Sequence, residues 1–120
     1  MKKQMFLNNV KNKLIVSCQS FPGEPLYGPD VMAKMSKAVQ EGGATAIRTN
    51  GKDEVIAIKA ATGLPTIGII KKNYESSDVY ITPTLEEVQE LIESKTDVIA
   101  LDATPRKRPH GERLEDLVAY

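Results

Sequence analysis

Four residues stand out by chemical type and by position. Gln19, Arg48, Lys71 and Asp102 each directly follow a short apolar run. An amide, a guanidinium, an amine and a carboxylate together suit a polar, anionic ligand: the cations meet its charge, and the amide both donates and accepts hydrogen bonds. The apolar runs before them are Leu14 to Cys18, Ala44 to Ile47, Leu64 to Ile70 and Asp97 to Leu101. In parallel α/β folds the carboxyl ends of the strands form the face where ligands bind, and catalytic residues come from several such ends. One polar residue at a strand exit means little, because every strand must leave the core somewhere. Four in succession, each of a different chemistry, mark a site.

Side-chain alternation supports this in part. Residues of Arg48's parity are Ala44 and Ala46, those of Asp102's are Val98 and Ala100, and those of Gln19's are Ile15 and Ser17. The opposite rows, Ile47, then Ile99 with Leu101, then Leu14 with Val16, are bulkier and suited to packing under helices. Lys71 breaks the trend by sharing its row with Ile67 and Ile69, while Lys72 has the opposite parity and is expected to point away as a solvated charge.

The four runs are near-continuously apolar and rich in β-branched residues, which fits parallel strands covered on both faces. Between them lie segments of helical spacing. Val31, Met32, Met35, Ala38 and Val39 line one stripe that stops at Gly42-Gly43. A second helix is expected from about Lys52 to Ala61 with Val55, Ile56 and Ile58 inward, ended by Gly63. A third opens with Thr84 as N-cap and Glu87 three residues on, with Leu85, Val88, Leu91 and Ile92 as its buried face. A fourth is expected from near Glu112. Strands alternating with such helices mean βαβ units, either in an open doubly wound sheet or in a closed barrel. No GxGxxG and no GxxxxGK[ST] is present, which removes support from the nucleotide-binding versions. The repeat is roughly 28 residues, so eight units would take on the order of 225, within the size range of the small (β/α)₈ barrels. The expectation is an α/β fold of the (β/α)₈ TIM-barrel type. Residues 1–120, a single domain, would be its N-terminal half with about four units, and the rest would lie outside this sequence.

Bulk properties narrow the partners. The sequence holds 16 basic and 16 acidic residues, so no global field steers it to nucleic acid or anionic lipid. One cysteine, Cys18, rules out an internal disulfide and a CxxC site. After Met1-Lys2-Lys3 only Met5, Phe6 and Leu7 precede polar residues, short of the roughly 7–15 apolar residues of a signal sequence. No run reaches the ~18 needed to span a bilayer. A cytoplasmic protein without membrane or nucleic-acid partner is expected.

The stretches LIVSCQ, EPLYGPDVMAKM, EGGATAIRTN, GLPTIGIIKKNY, VYITPTLEEV and VIALDATPRKRP resemble the N-acetylmannosamine-6-phosphate 2-epimerase family, over nearly the whole sequence after the first dozen residues. The resemblance implies an isomerase of sialic-acid and amino-sugar catabolism that interconverts N-acetylmannosamine 6-phosphate and N-acetylglucosamine 6-phosphate. It implies no organic cofactor and no metal. Inversion at carbon 2 removes a proton beside the carbonyl of the open-chain sugar and returns one to the other face. Lys71 matches the family's lysine after GII and would be the catalytic base or acid. An amine does this near neutral pH where burial or a neighbouring cation favours its neutral form, and Arg48 would be that cation while also steadying the enolate oxygen. Gln19, Arg48 and Asp102 would bind substrate. The family's acidic partner on a late strand, its aspartate on the fifth strand and its phosphate loops have no counterpart in these residues. The 120 residues alone are therefore expected to be inactive. A homodimer is expected.

Other features carry less. Asp102 reads equally well as a loop-ordering acceptor. The basic run Arg106 to Arg113 reads as a solvated loop, His110 as an exposed loop residue and Cys18 as a small buried hydrophobe. Tyr27 and Tyr74 fall in loops on the expected ligand face. Two other readings stay open: a different TIM-barrel lyase or isomerase acting on a phosphorylated metabolite, and a non-catalytic sugar-phosphate-binding half-barrel that dimerises.

Overall fold

The computed structural model describes residues 1–120 as nine elements: α1 (Lys3–Val10), β1 (Leu14–Ser17), α2 (Pro29–Glu41), β2 (Ala44–Asn50), α3 (Lys52–Thr62), β3 (Thr66–Ile69), α4 (Leu85–Glu93), β4 (Val98–Ile99) and α5 (Leu114–Ala119). The local chemistry explains the boundaries. Pro29 occupies the first turn of α2, where its missing N–H costs nothing. Asp53 and Glu54 sit in the first turn of α3 and Lys59 in its last, matching the helix dipole. Gly63 ends α3 in the left-handed region at φ 67°, where a side chain would be strained. Thr84 and Glu87 form the expected capping box of α4: Thr84 Oγ1 accepts from the Glu86 N–H, and the Thr84 N–H donates to Glu87 Oε1 at 2.9 Å.

The four strands form one parallel sheet in the order β1-β2-β3-β4. Each strand pairs with the one before it in sequence. A doubly wound sheet reverses its strand order at a switch point, whereas a barrel adds strands in sequence, so this order selects the barrel arrangement. Helices α2 and α3 cover one face, where Cys18, Met32, Ala44, Ile47 and Ile58 make the core, with Val16, Val31, Met35, Val39 and Leu64 packed against it. Gly68 lets α4 approach β3: a Cβ there would stand 2.9 Å from Leu91 Cδ2 and 3.0 Å from Thr96 Oγ1.

Several expectations need correcting. Ile56 and Ile92 are exposed at 46% and 47%, because each lies beyond the edge of its helix's apolar stripe. Buried Glu54 stands in for Ile56 on α3, and on α2 Ser36 is buried while Ala38 is exposed. Leu14 is exposed, at the entrance of its strand. In the row of Lys71, Ile69 is fully buried and Ile67 half-buried, as is Val98 on β4. The sequence reading left out α1. It also left out the excursion after β3, where Lys71 and Ile81 bridge antiparallel and Thr82 N–H donates to Ile70 O at 2.7 Å.

Asp97 ties α3 to the start of β4. Its carboxylate accepts from Lys59 Nζ at 2.8 Å and from the Thr66 N–H at 2.9 Å. Burial works to raise its pKa, but the Lys59 and Thr66 hydrogen bonds and the Lys59 charge outweigh it and hold the carboxyl below the usual carboxylate range. A group with a depressed native pKa stabilises the fold above its unfolded value of about 4, and that stabilisation is lost as pH falls through the native value. Asp97→Asn should therefore lower stability at pH 7, and its urea midpoint should depend less on pH than the wild type's between about pH 5 and 2. Parallel pH profiles for the two proteins would count against this account.

Candidate functional site

Register decides which of the four residues meet. Arg48 lies opposite Ser17 on β1 and Ile67 on β3, and β2 runs on through Thr49 to Asn50. Arg48 is thus inside its strand, not at its end. Its main chain stands four residues, roughly 13 Å along the strand, before the level of Lys71. Gln19 lies two residues past Ser17, level with Asn50. Asp102 lies four residues past Val98, the partner of Ile67, and so shares the level of Lys71. Gln19, Asn50, Lys71 and Asp102 therefore form the polar rim, with Arg48 deeper on the same face. The parity reading holds for Ile47, which packs under the helices, but not for Ala44, which joins the same core ahead of the register shift between β1 and β2.

Asn50 is the site residue that sequence reasoning missed. Its Oδ1 accepts the Lys71 N–H at 2.9 Å, so the end of β2 holds the main chain of the residue that follows β3. The run Ala-Ile-Arg-Thr-Asn carried the signal, since Asn50 has Arg48's parity and lies nearer the strand end. Lys71 Nζ lies 5.4 Å from the Phe21 ring centroid, a cation–π contact that sets the ammonium beside the loop after β1. Lys72 turns the other way, its ammonium 5.1 Å from the Tyr74 ring.

Gln19 Nε2 donates to Ser17 Oγ at 2.8 Å, whereas its Oε1 is buried with no partner in the chain, as is the neighbouring Ser20 Oγ. Asp102 spends its carboxylate locally. Oδ1 accepts the Thr104 N–H at 2.7 Å and Oδ2 accepts from Arg106 Nη2 at 2.6 Å. The Thr104 side chain first, against a burial cost, then the Thr104 N–H and Arg106, hold this carboxyl below the usual carboxylate range. It is an anion that orders the loop after β4. No three His, Cys, Asp or Glu side chains gather as a metal-binding group.

Two loop residues differ from expectation. Tyr74 does not face a ligand: its hydroxyl donates to Glu87 Oε2 at 2.8 Å, and its ring meets that of exposed His110 edge-on at 5.7 Å. Burial first, then the Glu87 carboxylate, push the Tyr74 hydroxyl above its usual range, partly countered by Thr84 and Lys72, so it stays a donor. Arg108, read as part of a solvated loop, is 3% exposed and bonds only to backbone carbonyls.

The chain matches known proteins over nearly its whole length. A family model described as "Putative N-acetylmannosamine-6-phosphate epimerase" matches residues 32–120. The chain belongs to this family. Curated relatives of the same description include one from Clostridioides difficile, 55% identical over 114 residues covering 95% of this chain and 51% of the relative. Another, from Staphylococcus aureus, is 55% identical over 107 residues, covering 89% of this chain and 48% of its own. Among solved structures, the N-acetylmannosamine-6-phosphate 2-epimerase of Clostridium perfringens superposes with a TM-score of 0.91 at 50% identity, over 99% of this chain and 52% of that one. The chain spans about half the length of these relatives. Its fold is four β/α units of the epimerase family's (β/α)₈ barrel.

Tyr74→Phe removes the donor to a buried carboxylate and should lower unfolding free energy by about 1–3 kcal/mol. Tyr27→Phe, at an exposed residue, should leave it unchanged. Denaturant titration of both variants checks this, and equal midpoints for the two would refute the Tyr74–Glu87 assignment.

Proposed function

We propose that the complete protein containing this chain interconverts N-acetylmannosamine 6-phosphate and N-acetylglucosamine 6-phosphate, with residues 1–120 as the N-terminal half of its barrel. The observation that carries this reading is Lys71. It leaves β3 on the polar face, level with Asp102, its main chain held by Asn50, in a chain of the epimerase family.

The chemistry follows from what an amine at that place can do. In the open-chain sugar the proton on carbon 2 is acidified by the neighbouring carbonyl. Lys71 as the amine takes that proton, and the electron pair moves into an enolate whose charge rests on the carbon 1 oxygen. Lys71 as the ammonium returns a proton in the reverse direction. Arg48, lower on the same face, presents its guanidinium to the developing oxygen charge. Gln19 offers its unpaired Oε1 to a donor on the sugar or its acetamido group. Asp102 contributes by ordering the loop that frames the substrate. Returning the proton to the opposite face takes a second group, placed by this reading outside residues 1–120.

The same reading gives a cytoplasmic homodimer without nucleic-acid partners. The balanced charge supports the last point, and no helix is long and apolar enough to cross a membrane.

Three substitutions in the full-length enzyme test the assignment. Lys71→Ala should abolish deuterium uptake at carbon 2 from heavy water, whereas Lys72→Ala should keep most of it. Equal losses would overturn the choice of Lys71. Arg48→Ala should lower turnover by about 10²–10³. The chain 1–120 by itself should show no epimerase activity and should self-associate, because Val88, Ile92, Ile99, Leu101, Leu117 and Val118 form an open apolar groove beside β4. A monomer with turnover in solution-mass and activity measurements would refute the eight-strand reading.

A further inference from the structure

Arg108 is almost wholly buried, yet no carboxylate faces it. Its Nη1 donates to Thr82 O at 3.1 Å and Pro83 O at 3.0 Å, and its Nη2 donates to Asp102 O. A buried guanidinium is costly, and where only stability is at stake an apolar side chain commonly serves as well. What the planar fork adds is geometry, because it fixes several acceptors at set distances from one another. Here those acceptors belong to two separate segments, the one entering α4 and the one leaving β4.

Thr82 supplies an independent observation at the same place. It is fully buried with φ 47°, a left-handed conformation that a β-branched residue adopts only where its surroundings impose it. Its N–H donates to Ile70 O at 2.7 Å, and its hydroxyl accepts from the Ile70 N–H at 3.3 Å and donates to Ala100 O at 2.7 Å. Next to it, Ile81 bridges Lys71 and accepts the Asp102 N–H at 3.0 Å. Strands β3 and β4 pair at Ile67–Val98 and Gly68–Ile99. Beyond that point the 81–83 segment lies between them as a wedge, with Lys71 on one side and Asp102 on the other.

We propose that Arg108, together with the Thr82 hydroxyl, is a positioning residue of the epimerase site. The guanidinium seats the 81–83 wedge, and the wedge sets the separation of Lys71 from the Asp102 loop, so that the amine is aimed at carbon 2. The inference rests on the reading of Lys71 given above. Lysine cannot replace Arg108, since one ammonium on a flexible stem does not reproduce the fork that reaches both segments.

The test uses a full-length family enzyme that contains this chain, assayed with N-acetylmannosamine 6-phosphate at a temperature where denaturant curves show each variant fully folded. Arg108→Lys should lower kcat by about 10–100-fold, the scale expected when a reacting group is misplaced by about an ångström, while KM changes less than about twofold. Deuterium uptake at carbon 2 should fall in parallel. Thr82→Val, which keeps the shape and removes the hydroxyl, should give the same kcat-only pattern and also answers the question if Arg108→Lys does not fold. Lys107→Ala, on the exposed neighbour, should keep the wild-type kcat. Folded variants with a lower melting temperature but full kcat, or a raised KM with unchanged kcat, would overturn the positioning role alone. A wild-type enzyme without turnover would overturn both this role and the epimerase reading.

Discussion

The register of the parallel sheet is the constraint on which the rest depends. With Ile47 packed beneath α2 and α3, the two-residue alternation of β2 sends Arg48 and Asn50 to the other face. A slip of one residue would drive the guanidinium into the core made by Met32 and Ile58 and bring Ile47 out to the polar side. The apolar contacts on the helix side thus fix the position of the polar groups on the other. The same reasoning passes from strand to strand through the pairs Ser17–Arg48, Arg48–Ile67 and Ile67–Val98.

The two halves of the architecture are held by different forces. Beneath α2 and α3 the core around β1 and β2 is fastened mainly by apolar side chains, with Asp97 adding a polar tie between α3 and β4. At the rim the fastening is polar and buried: Glu87 accepts from Thr84 and from Tyr74, Thr82 bridges Ile70 and Ala100, and Asn50 accepts from Lys71. Hydrogen bonds of this kind add modest net stability but are strict about distance and direction. The loops after β3 and β4 are therefore ordered by directional bonds.

Much of this was legible in the sequence, for identifiable reasons. Four apolar runs separated by helical segments, two of them ended by glycine, announced the βαβ repeats, and the Thr84–Glu87 box marked the start of α4 because capping chemistry is local. The polar residues after each run pointed to one end of the sheet, where Gln19, Lys71 and Asp102 do lie together. What escaped depends on partners distant in sequence. Arg48 looked terminal because Thr49 and Asn50 are polar, yet both pair with β3, so the strand extends past its apolar part. Arg108 looked solvated among Arg106, Lys107 and Arg113, and only the carbonyls of Thr82, Pro83 and Asp102 draw it inside. Tyr74 looked like a ligand contact, and a glutamate 13 residues on claims its hydroxyl. Ile56 and Ile92 show the limit of periodicity, which gives a stripe without its edge.

The serial strand order has a bearing on how the polypeptide acquires its shape during synthesis. Leu14 finds Ala44, and Ile67 finds Val98, across only about 30 residues, and each new strand docks on the edge left by its predecessor. Loop-closure entropy rises only slowly with separation, so each addition meets a similar and modest barrier. A nascent chain emerging from the ribosome can lay down strand, helix and strand in the order of translation, and only the β1 edge waits for a late strand, the one that closes the barrel. Until the next strand arrives, the growing β4 edge and the groove under α4 and α5 are the exposed end of the assembly. That is the surface where a stalled or truncated product would be captured by chaperones.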